Sequence, residues 1–275
     1  MTGPISLWDW RRTITDLYAD IRGHQDPRAA HRRWQAARSE LFANHPQSPI
    51  DEDKRNGKIG PYLFEYDPSL RLFVGLEPMR DARSERIDTG ADGIVELYPF
   101  ARTSGLLPTL GKELTIYWIT GYGGGAFLPF ADATNGKETY GGGRYLLDTI
   151  KGADLGSTPD GRTILDFNFA YYPSCAYSAR FVCPLAPASN RLSAPVRGGN
   201  DRRLRDLYAA RLSDGHRGRH GDHHDRGGDQ APNSGDGGAI PNVLAWAMSG
   251  SAVRLKRGVT QAPHEPERWR HRSRR

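Results

Sequence analysis

Histidine is missing from the middle of this 275-residue chain. Its nine histidines are His24, His31, His45 and six beyond Gly215, so no imidazole lies between Pro46 and Ser213. A Ser-His-Asp or Cys-His arrangement inside that stretch is excluded unless His45, or a helix or tail histidine, reaches in. Cysteine is almost as scarce. Cys175 and Cys183 are the only two, which argues against a secreted disulfide framework and for a reducing compartment. As zinc ligands they would need two further partners, and no second Cys-x-x-Cys accompanies them. Long apolar runs are absent too. No stretch approaches the roughly 18 apolar residues of a membrane span. The opening MTGPISLWDWRRTITDLY meets charge at Asp9, Arg11 and Arg12 before an apolar run of signal-peptide length can form. The expectation is a soluble, cytoplasmic protein.

What is present is unevenly distributed. Hydrophobic residues make up 37% of the chain, below the globular average, and the shortfall lies after Leu192. Residues Ser193–Arg275 carry a net charge of +7 and the first 192 residues carry −1, so the overall +6 belongs to the tail and says nothing about the partners of the body.

Leu7, Trp10, Leu17 and Ile21 recur at helical spacing, which predicts a helix over about 7–22. Asp26 is placed to cap a second helix, with Pro27 in its first position and Ala30, Trp34, Ala37 and Leu41 on its inner face; Pro46 and Pro49 end it by about Asn44. From Tyr62 the pattern changes to short β-branched and aromatic runs. YLFEY, LRLFVGL, GIVELYPFAR and ELTIYWIT read as strands. In the last, Leu114, Ile116 and Trp118 share one face and Thr115, Tyr117 and Ile119 the other, so both sides should be buried. Asn135-Gly136 is a hairpin signal, and the loop length there decides whether Asp132 can stand beside Glu138. Arg144, Leu146 and Asp148 should share a strand face, with Tyr145 and Leu147 opposite. In ILDFNFAYY, Asp166 and Asn168 should project away from the apolar set. The predicted fold is mainly β: an antiparallel β-sandwich or barrel-like domain with two N-terminal helices packed on it. The units are the helices of residues 1–50, a β-rich core over 58–192, and a low-complexity, disordered tail over 193–275.

The central motifs resemble an uncharacterised prokaryotic family, domain of unknown function 1684 (DUF1684). Pro129, Phe130, Asp132, Thr134, Gly136, Glu138, Thr139 and Tyr140 match its PF-x-D-x-T-x-G-x-E-T-Y segment, and Gly143–Leu146 match the GRYL that follows. Asp166–Asn168, Ala170, Tyr171, Pro173 and Cys175–Tyr177 match DFN-x-AY-x-P-x-CAY, with CPL at Cys183–Leu185 and NRL at Asn190–Leu192. His45-Pro46 and Ser48-Pro49 match an upstream element. The resemblance spans about positions 5–197 and implies a domain and a motif map without a reaction. This chain departs from the pattern at Tyr172, Ala186 and Ser189, and runs on after NRL into APVRGGNDRR, where the family closes.

The residues that stand out chemically are Asp132, Thr134, Glu138, Tyr140, Arg144, Tyr145, Asp166 and Asn168, the candidate ligand-binding set. Carboxylates converging with an arginine in a pocket would bind an anionic or polyhydroxyl small molecule, do acid–base chemistry, or hold a hard cation. In the alternative structural reading, Asp132 and Asn168 satisfy turn backbones while Arg144 is fixed by Asp166 in a half-buried ion pair. The functional expectation is a small-molecule binding domain, with a carboxylate hydrolase, with or without a divalent metal, and a purely structural or partner-binding protein as alternatives. No cofactor or metal site is assigned. Gly121–Ala126 can be aligned to G-x-G-x-x-A, but Pro129 follows and no helix begins there. A nucleophilic cysteine would need a nearby cation, for which Arg144 is the candidate. Nucleic acid is conceivable only through the basic RGG-containing tail, where His216, His220, His223 and His224 could also chelate metal.

Overall fold

The structure, a computed structural model, describes residues 3–55, 61–80, 82–89 and 93–201. Two helices come first, α1 (Pro4–Gly23) and α2 (Pro27–Asn44). Asp26 caps α2 by accepting a hydrogen bond from the Arg28 amide at 2.9 Å, and Pro27 sits in the first turn. Seven strands follow: β1 (Arg71–Pro78), β2 (Glu85–Asp88), β3 (Ile94–Ser104), β4 (Thr115–Ile119), β5 (Gly125–Phe130), β6 (Arg144–Asp148) and β7 (Thr163–Asp166), with a single-turn helix α3 (Leu107–Leu110) between β3 and β4. No helix of the described residues is long and apolar enough to cross a membrane.

All named strand pairings are antiparallel, in the order β6-β5-β4-β3-β1-β7, with β2 beside the first half of β3. The sheet curls into a nearly closed barrel. Its seam is bridged just past β7, where Tyr145 and Tyr171 exchange backbone hydrogen bonds of 2.8 and 3.0 Å.

Two apolar cores lie on opposite faces of the central strands. Tyr18, Trp34, Leu97, Tyr117, Phe127 and Tyr145 pack under α1 and α2. Val74, Ala101, Ile116, Leu128, Phe130 and Phe167 form the other. Strand β4 serves both, through Ile116 on one side and Tyr117 on the other, as its two-sided apolar pattern predicts; Trp118 is the exception at 43% exposed. Pairing slips by one residue between Pro99 and Ala101 and again between Leu128 and Pro129. Both slips fall beside a proline, which has no amide to donate to a ladder. The first turns β3 from one core to the other: Pro99 faces Tyr117, and Ala101 faces Ile116.

Several local expectations are overturned. YLFEY is not a strand. It makes a single bridge, Leu63 with Asn200, because its neighbour Gly199 has φ +70 and the ladder cannot propagate past it. ILDFNFAYY is extended only to Asp166, whose side chain accepts from the Asn168 amide and starts a 3₁₀ turn over Phe167–Phe169. Asn135-Gly136 lies in a compact loop rather than between paired strands. Asp132 Oδ1 accepts from the Thr134 amide, and the Thr134 carbonyl then takes the amides of Lys137, Glu138 and Thr139. The expected tail boundary also moves. Ser193–Asp201 packs onto the barrel, with Val196 fully buried and Asn200 nearly so. From residue 202 onward the expectation of disorder, with the nucleic-acid and metal-chelating readings of the tail, lies outside the described residues.

Candidate functional site

The eight residues singled out in the sequence do not form one site. Asp132, Thr134 and Arg144 come together. Arg144 opens β6 and is fully buried, and its Nη2 donates to Asp132 Oδ2 at 2.6 Å and to the Val196 carbonyl at 2.8 Å. Its Nη1 donates to the carbonyl of Gly198, and Phe130 lies 5.0 Å beneath the guanidinium. Asp132 Oδ1 accepts from the amide and hydroxyl of Thr134 at 2.7 and 2.6 Å, and from the Val196 amide at 3.3 Å. Within this cluster Arg144 Nε has no hydrogen-bond partner among the described residues. The charge pair is spent on tying the end of β5 and the start of β6 to the Ser193–Asp201 segment.

Asp166 and Asn168 form a second centre. Asp166 Oδ2 accepts from the Tyr66 hydroxyl at 3.0 Å and from Arg71 Nη1 at 3.1 Å. The expected Arg144–Asp166 pair is therefore replaced: Asp132 is the partner of Arg144 and Arg71 that of Asp166. Asn168 fastens the Asp67 backbone through its carbonyl oxygen (2.9 Å) and its amide nitrogen (2.8 Å). Glu138 is on the surface, held by Nε and Nη2 of Arg197 at 2.7 and 2.9 Å, and that contact lowers its carboxyl pKa. Asp132, Glu138 and Asp166 thus have three separate basic partners. Among the described residues no three His, Cys, Asp or Glu side chains are grouped to hold a metal ion.

Tyr145 leads elsewhere, to a cavity of about 130 Å³ between the N-terminal helices and the sheet. Its ring meets Phe127 edge-on at 4.7 Å, its hydroxyl donates to the Pro184 carbonyl at 2.7 Å, and burial drives its pKa well above the usual phenol value. Asp148, expected on the opposite face from Tyr145, lines the same cavity. The register slip opposite Leu128 and Pro129 leaves Leu146 unpaired and reverses the alternation. Asp148 is 1% exposed and accepts from Lys151 Nζ at 2.8 Å and from the Tyr171 hydroxyl at 3.5 Å.

Arg38 supplies the opposite charge. It follows Trp34 by one helical turn on α2, is 6% exposed, and lines the cavity. Three rings surround its guanidinium, those of Trp34 and Phe42 at 5.0 Å and of Tyr171 at 4.9 Å. Among the described residues it makes no ion pair, and its buried Nε has no hydrogen-bond partner. Aromatic faces return about 0.5–2 kcal/mol each to a cation, but they accept no ordinary hydrogen bond. Removing an arginine from water costs several kcal/mol unless an anion and its oxygens replace that water. Sequence reasoning passed over Arg38, although the 34, 38, 41 spacing sets it within the stripe of α2 that contains Trp34 and Leu41.

The cavity wall also carries Cys183. Cys183 Sγ accepts from the Cys175 amide at 3.4 Å, and Cys175 Sγ lies 3.6 Å from the Tyr140 hydroxyl. The thiol of Cys175 hydrogen-bonds that of Cys183, which lowers the pKa of Cys183 against the effect of burial and raises that of Cys175; the Lys151 ammonium also favours the Cys183 thiolate. The cation near the thiol is thus Lys151, and Arg144 is committed to Asp132. His45 is a turn residue here. Its Nδ1 accepts from the Gln47 amide at 3.0 Å, leaving Nε2–H directed at Asp9 at 3.3 Å.

No curated protein matches this chain. A similar solved structure is the solution NMR structure of the uncharacterized protein from gene locus rrnAC0354 of Haloarcula marismortui, 32% identical over 62% of this chain and 93% of that one, with a TM-score of 0.44. The family model described as protein of unknown function (DUF1684) matches residues 60–201. That span holds all seven strands, the two buried carboxylate centres and both cysteines, and covers just over half of the sequence, so the chain belongs to the DUF1684 family.

Proposed function

We propose that the protein binds a small organic monoanion, a carboxylate with an aromatic or branched apolar body, in the cavity between α1, α2 and the sheet. The observation that carries this reading is Arg38, a buried guanidinium without a counter-ion among the described residues, in an aromatic-walled cavity. Asp148 on the same lining is engaged by Lys151 and the Tyr171 hydroxyl, so Arg38, over the Tyr171 ring, has no carboxylate of its own. An apolar cavity with a few fixed polar groups is the usual form of a small-molecule site. The carboxylate-hydrolase alternative has less support, because Asp132, Glu138 and Asp166 are each engaged by a different arginine.

Thermal unfolding in the presence of benzoate, 4-hydroxybenzoate and hexanoate, each compared with its neutral amide, tests the reading. Ligand at about 100 times its Kd adds roughly 2.7 kcal/mol, so a carboxylate should raise Tm by several degrees and its amide should not. Arg38→Met should abolish the shift while leaving the unliganded protein equally stable or more stable by about 1–2 kcal/mol, because a buried unpaired charge is removed. Equal shifts for acid and amide, or a shift that survives Arg38→Met, would reject the proposal.

A further inference from the structure

The cysteine pair is the remaining group of reactive side chains that the anion site does not use. Both thiols are part-exposed and free, the Cys175 backbone reaches Cys183 Sγ, and Cys183 lines the cavity. Seven residues separate them in sequence, but the 3₁₀ turn over Ser174–Ala176 brings the Cys175 amide to 3.4 Å from Cys183 Sγ. Around them the polarity is divided. Cys183 faces a backbone N–H, a thiol donor and an ammonium group, the surroundings that favour thiolate, while Cys175 has the Tyr140 hydroxyl beside it.

We propose that Cys183 and Cys175 form a two-thiol site that reduces small hydroperoxides, with Cys183 attacking and Cys175 resolving. The Cys183 thiolate attacks the terminal peroxide oxygen. The O–O bond breaks, an S–O bond forms, and the departing alkoxide takes a proton to leave as the alcohol. Cys183 is then a sulfenic acid, oxidised by two electrons, and the peroxide is reduced by two. The Cys175 thiol attacks that sulfur, an S–S bond replaces S–OH, and water departs. Phe181 and Val182, next to Cys183 in sequence, also line the cavity, which suits a peroxide with an apolar body. The step does not require an anion in the cavity, so it stands apart from the role given to Arg38.

The test exposes the reduced full-length protein at pH 7 to one equivalent of cumene hydroperoxide or hydrogen peroxide, beside glutathione as a reference thiol. Wild type should lose both free thiols and two hydrogens in mass as a monomer, with one cumyl alcohol formed per chain, at a rate on the order of tenfold or more above glutathione because more of its thiol is ionised. Cys175→Ser should stop at a sulfenic acid that dimedone labels at Cys183; Cys183→Ser should react no faster than glutathione. Both variants exchange one sulfur for an oxygen, and their thermal transitions verify that they are folded. Retention of both thiols while glutathione is oxidised would overturn the proposal, as would a reaction that continues in Cys183→Ser with Cys175 as the labelled residue.

Discussion

Asp132 and Arg144 show how much a single buried charge depends on its surroundings. Neither side chain has any exposed surface, and the guanidinium is otherwise met by carbonyls from Val196 and Gly198. Asp132→Ala leaves that cation in the core without its anion, which costs about 3–5 kcal/mol when a buried pair is broken from one side. Urea unfolding should register a loss of that size, whereas removing the exposed Glu138–Arg197 pair should change little. His31 on α2 offers a pH-dependent contrast. Its Nε2 donates to the Asn168 carbonyl at 2.9 Å, and Trp34, Tyr66 and Phe169 enclose the ring. Burial lowers its pKa, with Arg28 and Arg32 acting in the same direction and the Asn168 carbonyl and Asp166 opposing. The unfolded chain therefore takes up a proton near pH 6.5 that the folded chain resists. Stability from this group is complete above about pH 6.5 and declines below it, by at most about 1.4 kcal/mol per pH unit. Against His31→Gln, wild type should lose relative stability between pH 7.5 and 5.5; parallel profiles would show that His31 does not titrate as described. The polar motif residues were legible as special. Their roles were not, because the partners of Arg144, Asn168 and Asn190 are largely backbone groups far away in the sequence, such as the carbonyls of Pro129 and Thr115 that accept from Asn190 at 2.9 and 2.8 Å.

Among the elements, the helices were readable because capping and 3.6-residue spacing are local properties; Asp26, Pro27 and the Trp34 stripe mark α2 almost to the residue. Strands β1, β3 and β4 were readable for the same reason. The two register slips were not. Pairing across strands decides them, and the one between β5 and β6 brings Asp148 and Tyr145 to one cavity against their simple alternation. The segment Ser193–Asp201 was the largest misreading, since its composition is polar and glycine-rich while its backbone is structural. Gly199 carries that role: at φ +70 its position for a Cβ lies 2.1 Å from the Ala170 carbonyl oxygen. Gly199→Ala must push Ala170 away and adopt a disfavoured backbone, a loss of about 1–3 kcal/mol from the conformation alone. A drop in Tm of several degrees is expected, and an unchanged Tm would mean the segment is not held as described.

At the level of the molecule, the cavity exists because two layers meet imperfectly. Helices α1 and α2 cover one face of the sheet, and the connection from Tyr171 to Pro184 forms the remaining wall. Such a space belongs to neither layer's sequence, so the sequence points to the turn motifs, where polar residues are dense, rather than beneath the helices. One consequence concerns the order of assembly. The carbonyls that receive Arg144 come 52 to 56 positions later in the chain. A chain emerging from a ribosome can pair β5 with β6 early, but it cannot desolvate that guanidinium at low cost until residue 200 has cleared the exit tunnel. The final nine described residues therefore complete the buried pair, tying the end of the domain back to the junction of β5 and β6.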